Sequence, residues 1–127
     1  MQLFLTLSSN QSNFTKRENE ISWSLHNFDL GCNQYVGLAS ITIEFIENES
    51  FESNTDMLTN LIDKSYFNET GIIYTIPGKN AIAKRSDLVQ FWRLDTRKPE
   101  NVKFTFRHAN VNKIKNLTLT LAFTTYF

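Results

Sequence analysis

The sequence predicts an all-β protein, a β-sandwich or barrel, and three observations lead to this fold class. Apolar and polar residues alternate in several short runs, which is the pattern of strands with one buried face. Turn residues such as Pro77-Gly78 separate the runs. The composition, 41% hydrophobic and 20% charged with 11 Phe, is that of a folded chain. The length of 127 residues fits one domain over residues 1–127.

Seven runs are predicted as strands, and in chain order they are residues 2–7, 21–25, 35–45, 72–76, 88–94, 102–107 and 117–123. The first is a short apolar opening. The second alternates Ile21, Trp23 and Leu25 with serines, so these side chains are predicted to point into the core. The third run is the longest in the first half, and its predicted buried face consists of Ala39, Ile41, Ile43 and Phe45.

The other four runs lie in the second half of the chain. Residues 72–76 stop at the Pro77-Gly78 turn. Residues 88–94 have apolar side chains on both faces, which predicts one face in the core and the other at a contact surface. Residues 102–107 alternate apolar with mostly basic positions, and residues 117–123 alternate leucine with threonine, so both are predicted as half-buried strands.

Residues 48–67 break the alternation. Asn54 or Thr55 is predicted to cap one or two helical turns. The apolar residues that recur there at three- and four-residue spacing are Met57, Leu58, Leu61 and Ile62. We therefore expect at most one short helix in an otherwise all-β fold.

The charges divide unevenly along the chain, although their sum is zero. Residues 1–78 contain 3 Lys+Arg and 10 Asp+Glu, whereas residues 79–127 contain 10 Lys+Arg and 3 Asp+Glu. This division has three interpretations: complementary faces in an assembly, a basic surface for nucleic acid or membrane, or halves that interleave in the fold and mix their charges.

Residues suited to catalysis are few. His26 and His108 fall at predicted strand ends, where turn or surface roles are expected. Cys32, the single cysteine, excludes an internal disulfide framework and is predicted to be a buried, inert thiol. The glutamates of residues 44–52 lack the spacing of an EF-hand loop. We expect no enzyme activity, no metal site and no cofactor.

Nucleic-acid binding is possible but not favoured by the sequence. The basic residues of the second half, with Phe91 or Trp92 as stacking platforms, suit a strand-based single-strand binder, but no RNP-type aromatic motif accompanies them. Apolar runs are too short to span a membrane, and the opening segment lacks a signal-peptide core. We expect no membrane span and no secretion directed by this chain.

Three segments resemble the penton (minor capsid) proteins of polintons, adintoviruses and virophages. They are the opening MQLFLTLSSNQSN, the WSL of residues 23–25 followed by YVGLASI at 35–41, and the closing IKNLTLTLAF at 114–123. The middle segment departs from the family at Gly37, where alanine is usual, and at Ser40, where an acidic residue is usual.

The resemblance implies a single jelly roll of two four-stranded antiparallel sheets that assembles into a ring of five at capsid vertices. It also implies contact with the major capsid protein and a place in the virion. Assembly would occur in the cytoplasm or nucleus of the host cell. A virus-derived domain resident in a cellular genome is the other origin that it allows.

The sequence therefore predicts a structural assembly protein without enzyme activity. Its predicted subunit contact joins one group, Arg85, Val89, Phe91, Arg93, Arg97 and Lys98, to the acidic group of a neighbour, Glu44, Glu47, Glu49 and Glu52. The alternative is a ligand-binding β-sandwich, either carbohydrate-binding or like a trimeric receptor ligand. In that alternative, exposed Trp23, Trp92 or Tyr74 would stack on sugar rings or pack between subunits.

Overall fold

Two antiparallel sheets pack face to face in the computed structural model, which describes residues 2–79, 82–85 and 89–126. The described residues form ten strands and one 3-10 helix, Val111–Lys113. The strands are β1 Gln2–Ser8, β2 Phe14–Arg17, β3 Glu20–Ser24, β4 Tyr35–Phe45, β5 Thr55–Thr59, β6 Ile72–Ile76, β7 Ile82–Arg85, β8 Trp92–Arg93, β9 Asn101–Phe106 and β10 Ile114–Thr124.

The strand order is that of a jelly roll. The first sheet has the order β1-β10-β4-β7, with the short β8 also pairing with β4, and the second sheet has the order β2-β3-β9-β5-β6. Without β2 and β8, eight strands remain, four in each sheet, and every pairing is antiparallel. The long connections between the sheets are those of two Greek keys. The predicted single jelly-roll β-sandwich is confirmed.

The core lies between the inner faces of the two sheets. Its largest fully buried side chains are aromatic, Trp23, Phe104, Phe106 and Phe123. The Trp23 ring lies 5.0 Å from that of Phe14 and 6.1 Å from that of Phe104, centroid to centroid. Ile21, Trp23 and the aromatic residues of β9 are buried as their alternation predicts.

The predicted buried face of β4 is correct at Ile41 and Ile43 but wrong at Ala39. The pairing of β4 with β10 shifts between Ser40 and Leu38, and this bulge leaves Ala39 without a partner. Because an extra residue changes which side chains face inward, Leu38 rather than Ala39 is buried.

The predicted helix near residue 55 is absent, and Thr55–Thr59 forms β5 instead. This strand lies between β9 and β6, so both edges of its backbone are hydrogen-bonded. Met57 is buried and Leu58 is half-buried on the opposite face. A helix of one or two turns is marginal by itself, and two neighbouring strands stabilise the extended form instead.

The predicted strand at residues 88–94 is reduced to β8, with Leu94 in an isolated bridge to Ile62. Leu88 lies outside the described residues. The polar edge strands β2 and β7 were not predicted from the sequence. Within the described part of the chain, no helix has the length and apolar character required to cross a membrane.

Candidate interaction surface

Most of the predicted contact residues lie towards opposite ends of β4, whereas Arg85 pairs with Ser40 near the middle of that strand. Arg93 pairs with Tyr35 where β4 begins, and Glu44 pairs with Asn116 near where it ends. Since a strand rises about 3.3 Å per residue, the two ends are roughly 30 Å apart. Arg93 and Arg97 also line one groove of about 540 Å³. The structure therefore brings members of the basic group together and separates them from the acidic group.

The uneven charges of the two halves are paired within the chain. Five ion pairs occur among the described residues, and each joins a base from residues 79–127 to an acid from residues 1–78. The pairs are Lys98–Asp29, Lys103–Glu20, Arg107–Asp56, Lys113–Glu49 and Lys115–Glu44. They lie at the surface, so each adds little stability. The halves interleave, as one of the three interpretations stated.

These ion pairs reduce the number of predicted contact residues that are free to bind a neighbouring subunit. Glu44, Glu49 and Lys98 already have partners in their own chain, with N–O distances of 3.7 to 3.8 Å. Glu47 and Glu52 are exposed and form no ion pair with a described residue. The contact between neighbouring subunits stays a prediction, and Glu47 and Glu52 are its best-placed acids.

The segment that precedes β8 packs on β4. Val36 and Leu38 point into the core, so the Gly37 position faces the other side of the first sheet. A Cβ at Gly37 would collide with the Val89 side chain and lie 2.5 Å from the Gln90 carbonyl oxygen. Val89 therefore contacts its own chain and is half-buried. The side chain of Arg85 lies outside the described residues.

An exposed aromatic patch that was not predicted from the sequence includes Arg93. The patch consists of Tyr66, Phe67 and Arg93. Phe67 is 87% exposed and Tyr66 is 44% exposed. Their rings meet edge to face at 4.9 Å, and the Arg93 guanidinium lies 5.0 Å from the centre of the Tyr66 ring. Large apolar side chains with such exposure are candidates for a protein contact.

Hydrogen bonds hold the first part of the loop that carries this patch. The Asp63 carboxylate accepts bonds from the Ser65 amide at 3.0 Å and from the Ser65 hydroxyl. These bonds, foremost the hydroxyl, lower the pKa of Asp63 below its ordinary value, and the Arg93 charge adds to them. The Asp63 amide donates to the Arg93 carbonyl oxygen at 2.8 Å. The loop is thereby tied to β8.

The second part of the loop is organised by a buried amide. The Asn68 side-chain oxygen accepts a bond from the Gly71 amide at 3.0 Å, and its nitrogen donates to the Ile72 carbonyl oxygen at 3.0 Å. Phe67 has a φ of 62°, which is a left-handed conformation that a bulky residue rarely adopts. The hydrogen bonds of the neighbouring Asn68 stabilise the loop around Phe67 in this strained conformation, in which the Phe67 ring is exposed to solvent.

The chemically reactive side chains are dispersed on the surface. His26 and His108 are exposed, as expected at strand ends. The predicted burial of Cys32 is wrong, because Leu30 takes the core position and Cys32 follows Gly31 in an exposed turn. No group of three His, Cys, Asp or Glu side chains that could hold a metal ion occurs in the described ranges.

Comparison with known proteins finds no relative of this chain. No protein-family model, no curated protein and no solved structure matches the chain. The resemblance to penton proteins therefore depends on the three sequence segments alone.

Proposed function

We propose that the protein is a structural subunit of a virus capsid, a penton-like minor capsid protein that assembles into a ring. The strand order carries the proposal, because the eight-stranded jelly roll is an architecture of viral capsid proteins, although lectin domains and cupins share it. The resemblance of three segments to penton proteins favours a capsid protein over a lectin domain or a cupin. A virus-derived domain encoded in a cellular genome would assemble through the same contact between subunits.

In this proposal the ring contact joins the two ends of β4. The aromatic patch lies at one end, and Ile46, which is 47% exposed, lies at the other end beside Glu47. Phe67 packs on the neighbour's Ile46 while Arg93 and Arg97 face its Glu47 and Glu52. Such a head-to-tail contact produces a ring when its rotation closes, and we propose five subunits.

The composition of the aromatic patch suits this role. Tyr and Arg are among the residue types that most often dominate the binding energy of protein contacts, and the hydrogen bonds within the loop reduce the entropy lost on binding. The acidic partners add charge complementarity, which directs register. In a capsid the ring would also contact the major capsid protein, in the virion and, during assembly, in the cytoplasm or nucleus of the host cell.

The ligand-binding alternative has less support. Trp23 is fully buried, and its Nε1 donates to the Ser8 carbonyl oxygen at 2.8 Å, so this ring cannot stack on a sugar. Trp92 is half-buried in β8. For that alternative, the exposed rings of Tyr66 and Phe67 are a candidate stacking platform.

Reversing the charge of Arg93 and Arg97 to Glu is expected to dissociate the ring. At low salt and at concentrations too low for rings or single chains to associate further, light scattering on a sizing column should give about five times 14.8 kDa for the wild type and 14.8 kDa for the variant. The contact is exposed to solvent, so high salt should also loosen the wild-type ring. The Arg17→Glu variant, which reverses a charge on the exposed strand β2, is the matched control and should keep the wild-type mass.

A charge exchange separates loss of contact from loss of folding. Adding Glu47→Arg and Glu52→Arg to the doubly reversed protein should restore the ring, because the complementary signs are exchanged. Phe67→Ser should dissociate the ring without any change of charge, and its side chain is too exposed to stabilise the fold. An unchanged mass after reversal of Arg93 and Arg97, or a monomeric wild type at both salt concentrations, would refute the proposed contact.

A further inference from the structure

We propose that the free edge of β1 pairs with β1 of a second copy of this chain, in antiparallel register. This contact is separate from the ring contact of the proposed function. It follows from the backbone geometry of β1, from the character of the other sheet edges and from the self-complementarity of the strand.

Along the free edge of β1, the backbone groups of Phe4 and Thr6 form no hydrogen bond with another described residue. The Ser9 amide donates to the Leu117 carbonyl oxygen of β10 at 2.9 Å. The register of β1 on β10 is regular, and hydrogen-bonding residues alternate along an antiparallel strand. Leu7, Leu5 and Leu3 therefore bond to β10, whereas the amides and carbonyls of Thr6 and Phe4 point away from it.

The hydrogen bonds of the Ser8 backbone agree with this alternation and limit the length of the open edge. Its carbonyl oxygen accepts a bond from Trp23 Nε1, and its amide donates to the Gln11 side-chain oxygen at 3.3 Å. Both backbone groups of Ser8 thus face away from β10 and are already bonded. The open part of the edge lies between Gln2 and Leu7.

The other sheet edges carry features that discourage pairing, and β1 does not. β2 contains Lys16 and Arg17, β7 contains Lys84 and Arg85, β8 contains Arg93, and β6 has a register shift against β5 and is followed by Pro77. Charges, bulges and proline are the usual means by which proteins protect sheet edges. Residues 2–15 contain no charge, no proline and no glycine.

A second copy of β1 is the occupant that the strand fits best. With the two-fold axis at Leu5, Leu3 lies opposite the partner's Leu7, and Phe4 lies opposite the partner's Thr6. Opposed residues then share a face, so the inner rows of leucines are continuous across the pair. No charge is buried and no like charges meet, whereas pairing with β2 or β7 would place lysine and arginine at the junction.

The pairing also covers exposed apolar surface. Phe4 is 57% exposed and Leu3 is 38% exposed, and both lie on an edge without protection. Strand addition at such an edge gains main-chain hydrogen bonds and buries alternate side chains. The equal length of the two open edges makes the pair self-limiting, because Ser8 of each copy is already bonded.

The decisive experiment compares two threonine-to-lysine variants in a protein whose ring contact is removed by Phe67→Ser. Thr6 and Thr15 are both exposed, on β1 and on the already charged β2. At millimolar concentration, light scattering should give about twice 14.8 kDa for the Phe67→Ser protein and for its Thr15→Lys variant, but 14.8 kDa for its Thr6→Lys variant. A Phe67→Ser protein that stays at 14.8 kDa at millimolar concentration, or a Thr6→Lys variant that keeps the doubled mass, would overturn the proposal.

Amide hydrogen exchange tests the pairing without any change to β1. In the Phe67→Ser protein, exchange at Phe4 and Thr6 should slow at least tenfold as concentration rises through the dimerisation range. Leu3 and Leu5 should be protected at all concentrations by β10. Rates at Phe4 and Thr6 that do not depend on concentration would overturn the pairing, even if the variant with lysine failed to fold. A wild type without rings would refute only the proposed function.

Discussion

Replacing Trp23 by alanine is expected to lower the free energy of unfolding by about 3–5 kcal/mol, the range for large aromatic residues in cores. Trp23 is fully buried in β3 and packs against Phe14 and Phe104. Alanine leaves a cavity between the sheets and removes the donor to the Ser8 carbonyl oxygen. Urea unfolding followed by circular dichroism measures this loss as a lower midpoint at an unchanged slope.

The control is Trp92→Ala, which truncates the same side chain at a half-buried site in the two-residue strand β8. Its expected cost is less than about 2 kcal/mol, because less area is lost from the interior. Equal losses in the two variants would contradict the assignment of Trp23 to the centre of the sandwich. They would also weaken the argument against Trp23 as a sugar-binding side chain.

Strands with one fully buried face were predictable from the sequence. β3, β9 and β10 alternate apolar and polar residues because one side of each faces the other sheet. β2 and β7 are short edge strands rich in basic residues, so their sequences show little alternation of apolar and polar residues. The bulge at Ala39 was not predictable either, because it depends on the register that β10 imposes on β4.

The charges illustrate a second limit of sequence reasoning. In the jelly roll, β9 from the basic half lies between β3 and β5 of the acidic half, and β10 lies between β1 and β4. One acid from each of β3, β5 and β4 pairs with a base of β9, of β10 or of the residue that follows β9, which accounts for three of the five ion pairs. Part of the uneven charge along the chain is thus paired across the fold.

The aromatic patch shows what alternation cannot reveal. Tyr66 and Phe67 lie in a loop, where no period relates a side chain to the core. Their exposure depends on bonds made by Asp63 and Asn68, and on the position of Arg93 in β8. Arg93 was predicted as a contact residue from its charge, but its aromatic neighbours were not. An adjacent Tyr-Phe pair between turn-forming residues was the available signal.

Replacing Gly37 by alanine is expected to cost about 1–3 kcal/mol and to displace the segment that carries Arg93. The added Cβ would collide with Val89 and would lie 2.5 Å from the Gln90 carbonyl oxygen, so the backbone at residues 89–90 must move. Overpacking of this kind is destabilising even when the new group is a single methyl. Urea unfolding measures the cost, and faster amide exchange across β8 reports the displacement.

Gly31→Ala is the matched control because its cost has a different origin. Gly31 has a φ of 60° and no atom within 4 Å of an added Cβ, so alanine there suffers backbone strain of about 1 kcal/mol without a collision. Its effect on β8 exchange should be absent. The Gly37 variant should also weaken the ring, since Arg93 and the loop bonded to it move with the segment. A Gly37→Ala protein with native exchange at β8 would show that the contact with Val89 and Gln90 does not position Arg93.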